Sequence, residues 1–309
     1  MRLVTIPSSD VDLNPDSYNS NFHTLLDAPD LPVPDETPQA FSRWLPLIAS
    51  SQNISSSTIQ IITLTPPQTQ LILDASSSSL HTREANRLYV EELADLSTSS
   101  TFTSLVFPPE GLFLRLDECS PKDGVKGTSP LRSPEEAILR LATSHRATNA
   151  MIRGERKFDG KTKLIFLTFD AKMDTAKEFR VFCAPPNGRI TAVSQYKWHK
   201  PSVFREREPQ ARSSLMKTVM DGIQGVHKQI LGEAIRGSGA AMDKLLLEQG
   251  FTFDVVFDQE TEKSKLIELN SFGARSGCGS CLFHWLSDFS VLYGSSMDGI
   301  REVEFRISV

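Results

Sequence analysis

Two stretches restrict the fold more than any others: "FTFDVVFDQETEKSKLIELNSFG" (251–273) and "KEFRVFCAPPNGRITAVSQYKW" (177–198). Each reads as two apolar strands joined by a polar or Pro-Gly turn too short for a crossover, so each must be an antiparallel hairpin. Further strands are expected at "EGLFLRLDE", "KLIFLTFD" and "EVEFRIS". Strands and helical patterns mix without strict alternation, which favours an α+β fold over a doubly wound sheet.

Residues 1–40 are rich in Pro, Asp, Ser and Asn without a sustained period, and are expected to form a flexible arm. "FSRWLPLI" (41–48) is the first apolar cluster and is expected to dock on the body. "STIQIITLTPPQTQLILDAS" reads as strand, Pro-Pro turn, strand, followed by a linker-like Ser run (76–79) and a helix over "REANRLYVEELADL". "CSPKDGVKGTSPLR" is a long Gly, Pro and Ser loop. A helix begins after Ser133, with Pro134 at its first position and Glu136 completing a capping box. Residues 210–249 carry helical spacing broken at "RGSGAA", and "CLFHWLSDFSVLYG" also reads as helical.

Composition excludes several classes. Among 309 residues the net charge is -5, which argues against a general nucleic-acid-binding surface. No apolar run reaches the roughly 18 residues of a membrane span. The N-terminus has no signal-like apolar core, and four cysteines are no disulfide framework, so a cytoplasmic, reducing location is expected.

The chemistry concentrates in the second hairpin. Glu268 and Asn270 lie two apart and share a face, while Ile267 and Leu269 point to a core. Asp254 interrupts the partner strand in matching fashion. Two acids side by side on a buried sheet require positive charge between them. Mg²⁺ fits, since it takes oxygen ligands at about 2.1 Å, including carboxylates and substrate phosphates. A salt bridge to Lys265 or Arg180 is the competing explanation. Glu178 and Arg180 share a strand face, and Arg180 could clamp a phosphate or form a cross-strand ion pair. Arg115, set in an apolar strand, needs an anion: a phosphate, or Asp117.

Other motifs are weaker. "GERKFDGKT" (154–162) resembles a P-loop, but five residues separate Gly154 from Gly160 instead of four, so it reads as a turn. There is no GxGxxG and no GxSxG. "CGSC" (278–281) lacks the second pair that a zinc site requires. "KWHKPSVFREREPQAR" reads as a solvated loop, or as a lid over anionic groups.

Taken in order, "FSRWLPLI", "LFLRLDECSPKDG", "EFRVF", "ITAVSQYKW", "FTFDVVF" and "LIELNSFG" resemble the cell division cycle protein 123 family over residues 41 to about 307. That family resembles ATP-grasp enzymes. The resemblance implies an ATP-grasp-like α+β fold, two lobes (41–165 and 166–309) with antiparallel sheets clasping ATP and Mg²⁺. It implies Asp254, Glu268 and Asn270 as metal ligands, with Arg180 on the phosphates beside Glu178 and Lys197. Arg115 stands where the family has a phosphate-binding lysine, and Ser120 and Lys122 follow in the next loop. The family's role is assembly of translation initiation factor 2 through its gamma subunit.

Departures from the pattern bear on what ATP is for. The family's "SQRDY" is "SQYKW" here, "DFNPF" is "ELNSF", and an acidic linker and long C-terminal tail are not seen. A diverged paralogue is expected. Its leading reading is an ADP-forming ligase joining a carboxylate to an amine through an acyl phosphate, with Arg180 and Arg115 as catalytic cations. Lys197, His199, Lys200 and Arg205 could recruit an anionic substrate. The alternative is a non-enzymatic ATP-binding assembly factor docking the gamma subunit.

Overall fold

The structure is a computed structural model that describes residues 1–157, 161–200, 202–236, 240–295 and 302–309. Along the chain run β1 (Arg2–Ile6), α1 (Ser8–Leu13), α2 (Phe41–Gln52), β2 (Gln60–Leu64) and α3 (Pro66–Thr82). Next come α4 (Val90–Thr98), α5 (Ser100–Thr103), β3 (Leu112–Arg115), α6 (Pro134–Ala142), α7 (His145–Lys157) and β4 (Thr162–Thr168). The remainder is β5 (Glu178–Ala184), β6 (Arg189–Gln195), α8 (Pro209–Arg236), α9 (Ala240–Gln249), β7 (Phe251–Asp258), β8 (Lys263–Ser271), α10 (Phe289–Leu292) and β9 (Glu304–Ser308). Among these helices none is long and apolar enough to cross a membrane.

The chain divides into two compact units, one of residues 1–53 with 173–309, the other of residues 54–172. The boundaries therefore differ from the expected 41–165 and 166–309; residue 165 falls inside β4. The stretch expected as an arm also supplies structure. Its β1 runs parallel to β9, with Val4 opposite Arg306, and closes one edge of a sheet.

That sheet has six strands in the order β1-β9-β6-β5-β7-β8. Both expected hairpins, β5/β6 and β7/β8, are antiparallel, whereas β9 lies parallel to both neighbours. The mixed character is a tertiary result, since the β9 pairings join segments far apart in sequence. Every residue of β7 from Phe251 to Phe257 is buried, as suits a strand covered on both faces. On the outer strand β8, Leu266 N–H donates to Ser51 Oγ (2.8 Å) and its carbonyl accepts from Gln52 Nε2 (2.6 Å). The end of α2 thus occupies edge groups that would otherwise invite another strand.

A bulge follows Asp254: Asp254 faces Glu268, but Val255 faces Leu266. Ile267 is the extra residue and is only half-buried, so Leu266 and Leu269 fill the core in place of the expected Ile267 and Leu269.

The 54–172 unit has a three-stranded antiparallel sheet, β2-β4-β3, whose buried Leu64, Leu114, Leu164 and Phe166 join a core with Ile72, Leu141 and Met151 from its helices. Pro66-Pro67 starts α3, correcting the expected turn and second strand. Thr65 caps the helix in a full capping box with Gln68, and proline at the first helical position loses no intrahelical bond. The Ser run lies inside α3, with Ser76 and Ser79 buried. Ser133 caps α6 as expected, though Glu136 accepts from Arg132 N–H (2.7 Å). Gly154 lies in α7; residues 158–160 of the expected turn lie outside the described residues.

"CLFHWLSDFSVLYG" is helical only over α10. The carbonyls of Cys281 and Phe283 accept from Asn19 N–H, and Ser20 Oγ accepts from Trp285 N–H. Bonds to the 19–23 segment replace those a helix would need, and Cys281 takes a positive φ of 55°.

Candidate functional site

Register across the larger sheet builds a polar row. Arg306 on β9 lies opposite Ser194 on β6, Ser194 opposite Arg180 on β5, Arg180 opposite Asp254 on β7, and Asp254 opposite Glu268 on β8. Alternation alone put Arg180, Asp254 and Glu268 on the polar face of their own strands; pairing brings them side by side. Asn270 follows two residues after Glu268 on the same face.

At the centre of this row is a bidentate ion pair. Arg180 Nε donates to Asp254 Oδ1 (2.8 Å) and Nη2 donates to Oδ2 (2.7 Å). The two side chains are only 7% and 2% exposed. Arg180 Nη1 donates to the Gly279 carbonyl (2.7 Å), and the guanidinium lies over the Tyr196 ring, 5.0 Å from its centroid. Burial disfavours the charge on Arg180, but Asp254 outweighs it and the guanidinium is held firmly protonated. Burial pushes the Asp254 carboxyl up, Arg180 opposes this, and Glu268 adds to the rise. Arg180 and Glu268 thus act on Asp254 in opposite directions.

The 278–283 turn lies over the same face. Besides the Gly279 bond, Leu282 N–H donates to Ser194 Oγ (3.0 Å), and the Leu282 carbonyl accepts from Arg306 Nη1 (3.0 Å). Cys278 and Cys281 are buried free thiols. Burial raises Cys278 and pushes Cys281 up to about 12, so both stay protonated and unreactive at neutral pH. CGSC is therefore a structural turn. Its contact with Arg180 left no trace in the sequence, because a carbonyl contact carries no residue signature.

Whether Mg²⁺ suits this row is decided by its donors. Asp254, Glu268 and Asn270 together present carboxylates and an amide, an all-oxygen donor set of the kind Mg²⁺ takes. Among the described residues no three His, Cys, Asp or Glu side chains group to hold a metal; here the third donor is an amide. Both Asp254 oxygens are engaged by Arg180, and Asn270 Nδ2 donates to Asp254 Oδ2 (3.3 Å). The set fits a divalent cation in chemistry, with Asp254 currently spent on arginine. Of the two alternatives in the sequence, the Arg180 salt bridge is present, while Lys265 pairs with Asp258 (3.0 Å).

The remaining expected residues are distributed as follows. Glu178 is half-buried at the start of β5, and its carbonyl accepts from Tyr196 N–H (2.9 Å). Lys197 is half-buried just beyond β6; burial lowers His199, and Lys197 and Lys200 lower it further. Arg115, Ser120 and Lys122 belong to the 54–172 unit. Arg115 is buried at the end of β3, Ser120 is buried, and Lys122 is exposed. Asp117, the alternative partner for Arg115, lies 3.8 Å from Lys163.

Sequence reading passed over the groups that hold the Lys122 loop. Arg140 is buried and donates to the carbonyls of Val125 and Lys126. The Asp123 carboxylate accepts from Ser144 Oγ and Arg146 N–H at the start of α7. Arg140 sits among helical apolar residues and Asp123 in a loop, so neither stands out by pattern.

No protein-family model matches the chain, and no curated protein matches it in sequence. Solved structures do. Cdc123 from Schizosaccharomyces pombe superposes with a TM-score of 0.55 at 17% identity, covering 88% of this chain and 96% of that one. A C-terminally truncated form of the same protein gives 0.54, also at 17% identity, with the same coverage of both chains. In fold, this mixed α+β chain is similar to Cdc123 over most of its length.

Proposed function

We propose that this chain is an ATP-binding assembly factor of the Cdc123 kind, which docks the gamma subunit of translation initiation factor 2 and does not couple ATP to ligation. The similarity in fold to Cdc123 across most of both chains carries this reading. Arg180 is the phosphate-facing group, because a guanidinium offers paired N–H donors to a tetrahedral anion and holds its charge when enclosed. Asp254, Glu268 and Asn270 are the oxygen donors for Mg²⁺, which when bound neutralises phosphate charge. ATP binding then stabilises the docking-competent form by simple linkage, without hydrolysis.

A ligase has less support. It would need phosphoryl transfer to a carboxylate, and the similarity in fold to Cdc123 supports the assembly reading instead. The test pairs two measurements. Immobilised chain is expected to retain purified gamma subunit, more strongly with Mg-ATP than without. Release of ADP is expected to stay at background across a panel of acids with amines. Stoichiometric ADP release with one acid–amine pair, and no retention of the gamma subunit, would establish the ligase instead.

A further inference from the structure

The Arg180–Asp254 pair places a condition on what the row can accept; the inference rests on the nucleotide reading above. Arg180 gives Nε and Nη2, a fork suited to phosphate oxygens, to Asp254. Asp254 gives both of its oxygens, the ones suited to a divalent cation, to Arg180. A polyanion alone would draw off Arg180 and leave Asp254 enclosed and unpaired beside Glu268. A cation alone would draw off Asp254 and leave Arg180 enclosed and unpaired. Either half-exchange strands a charge in a buried position, which is strongly unfavourable. When anion and cation arrive together, both members are paired again.

Two further contacts hold Arg180 independently of Asp254. Arg180 Nη1 is held by the Gly279 carbonyl and the guanidinium rests on Tyr196, contacts that do not involve Asp254. Gly279 is itself packed so closely that a Cβ there would lie 2.3 Å from Asn19 Oδ1. The turn thus offers Arg180 Nη1 a closely packed acceptor that is independent of Asp254.

We propose that the Arg180–Asp254 pair is a specificity determinant, selecting a nucleoside triphosphate together with its divalent cation over either component alone. Neutralising one member should then free the other. Calorimetry with ATP in chelator, and paramagnetic resonance with Mn²⁺ alone, test this on the full chain. Asp254→Asn is expected to bind metal-free ATP about tenfold or more tighter than wild type, the size of one charge-assisted contact regained. Arg180→Gln is expected to bind Mn²⁺ alone more tightly than wild type by a similar factor. Both variants should lose the advantage of the two ligands together. Thermal unfolding checks each fold; Arg180→Met replaces an Arg180→Gln that does not fold, and Asp254→Ser replaces an Asp254→Asn that does not.

Wild type that binds Mn-ATP, with neither variant gaining affinity for its single component, overturns the selectivity and leaves the ATP reading standing. Wild type that binds no ATP, with or without metal, overturns the ATP reading and the selectivity with it. Gains in both variants support the proposal.

Discussion

Arg180 and Asp254 show how much one buried pair can control. Removing a single member leaves an unpaired charge in the sheet, so Asp254→Ala is expected to destabilise the protein by about 3–5 kcal/mol in urea unfolding. The double replacement Arg180→Met/Asp254→Leu should recover most of that loss, because it removes both charges and keeps the volume. His227 supplies an independent residue-scale test. It is stacked on Phe251 and Phe253, and its Nε2 lies 2.7 Å from the Gly188 carbonyl. Burial lowers its pKa from the ordinary 6.5, against the opposing pull of that carbonyl. The folded state therefore favours neutral imidazole, and its contribution is complete above pH 6.5 and lost as pH falls through the lowered value. Melting temperature should drop on acidification below about pH 6.5, with a shallower slope in His227→Gln.

Among the elements, α3 separates what local signals say from what a reader first takes from them. A Pro-Pro pair after a strand suggests a turn, yet Thr-Pro-Pro-Gln is also a helix start: cap, two prolines, box-closing glutamine. Thr65→Ala is expected to cost about 1 kcal/mol in equilibrium denaturation, the usual worth of such a cap. The segment 278–283 is the opposite case. From Cys281 onward its apolar spacing suits a helix, and bonds from Cys281, Phe283 and Trp285 to residues 19 and 20 take the place of helical ones.

At the scale of the whole molecule, one unit is continuous in sequence and the other is assembled from both ends of the chain. The continuous 54–172 segment has its own sheet and core. Expressed alone, it is expected to unfold cooperatively and give dispersed amide resonances. Deleting residues 1–7 is expected to lower the midpoint of the other unit, since β1 covers the edge of β9.

Short windows of sequence were enough to determine both hairpins, the helical spacing of α8 and α9 and the polar face carrying Arg180, Asp254, Glu268 and Asn270; the expected break at 237–239 lies outside the described residues. Turn chemistry and a period of two act between residues a few positions apart. Tertiary structure alone decided that β1 and β9 pair in parallel, that a bulge makes Ile267 the extra residue, and that Asp254 gives both oxygens to Arg180. It also decided that a carbonyl in the 278–281 turn holds that arginine. These choices depend on which distant segments share a buried face, and an apolar strand or a lone acid reads the same whichever partner it finds.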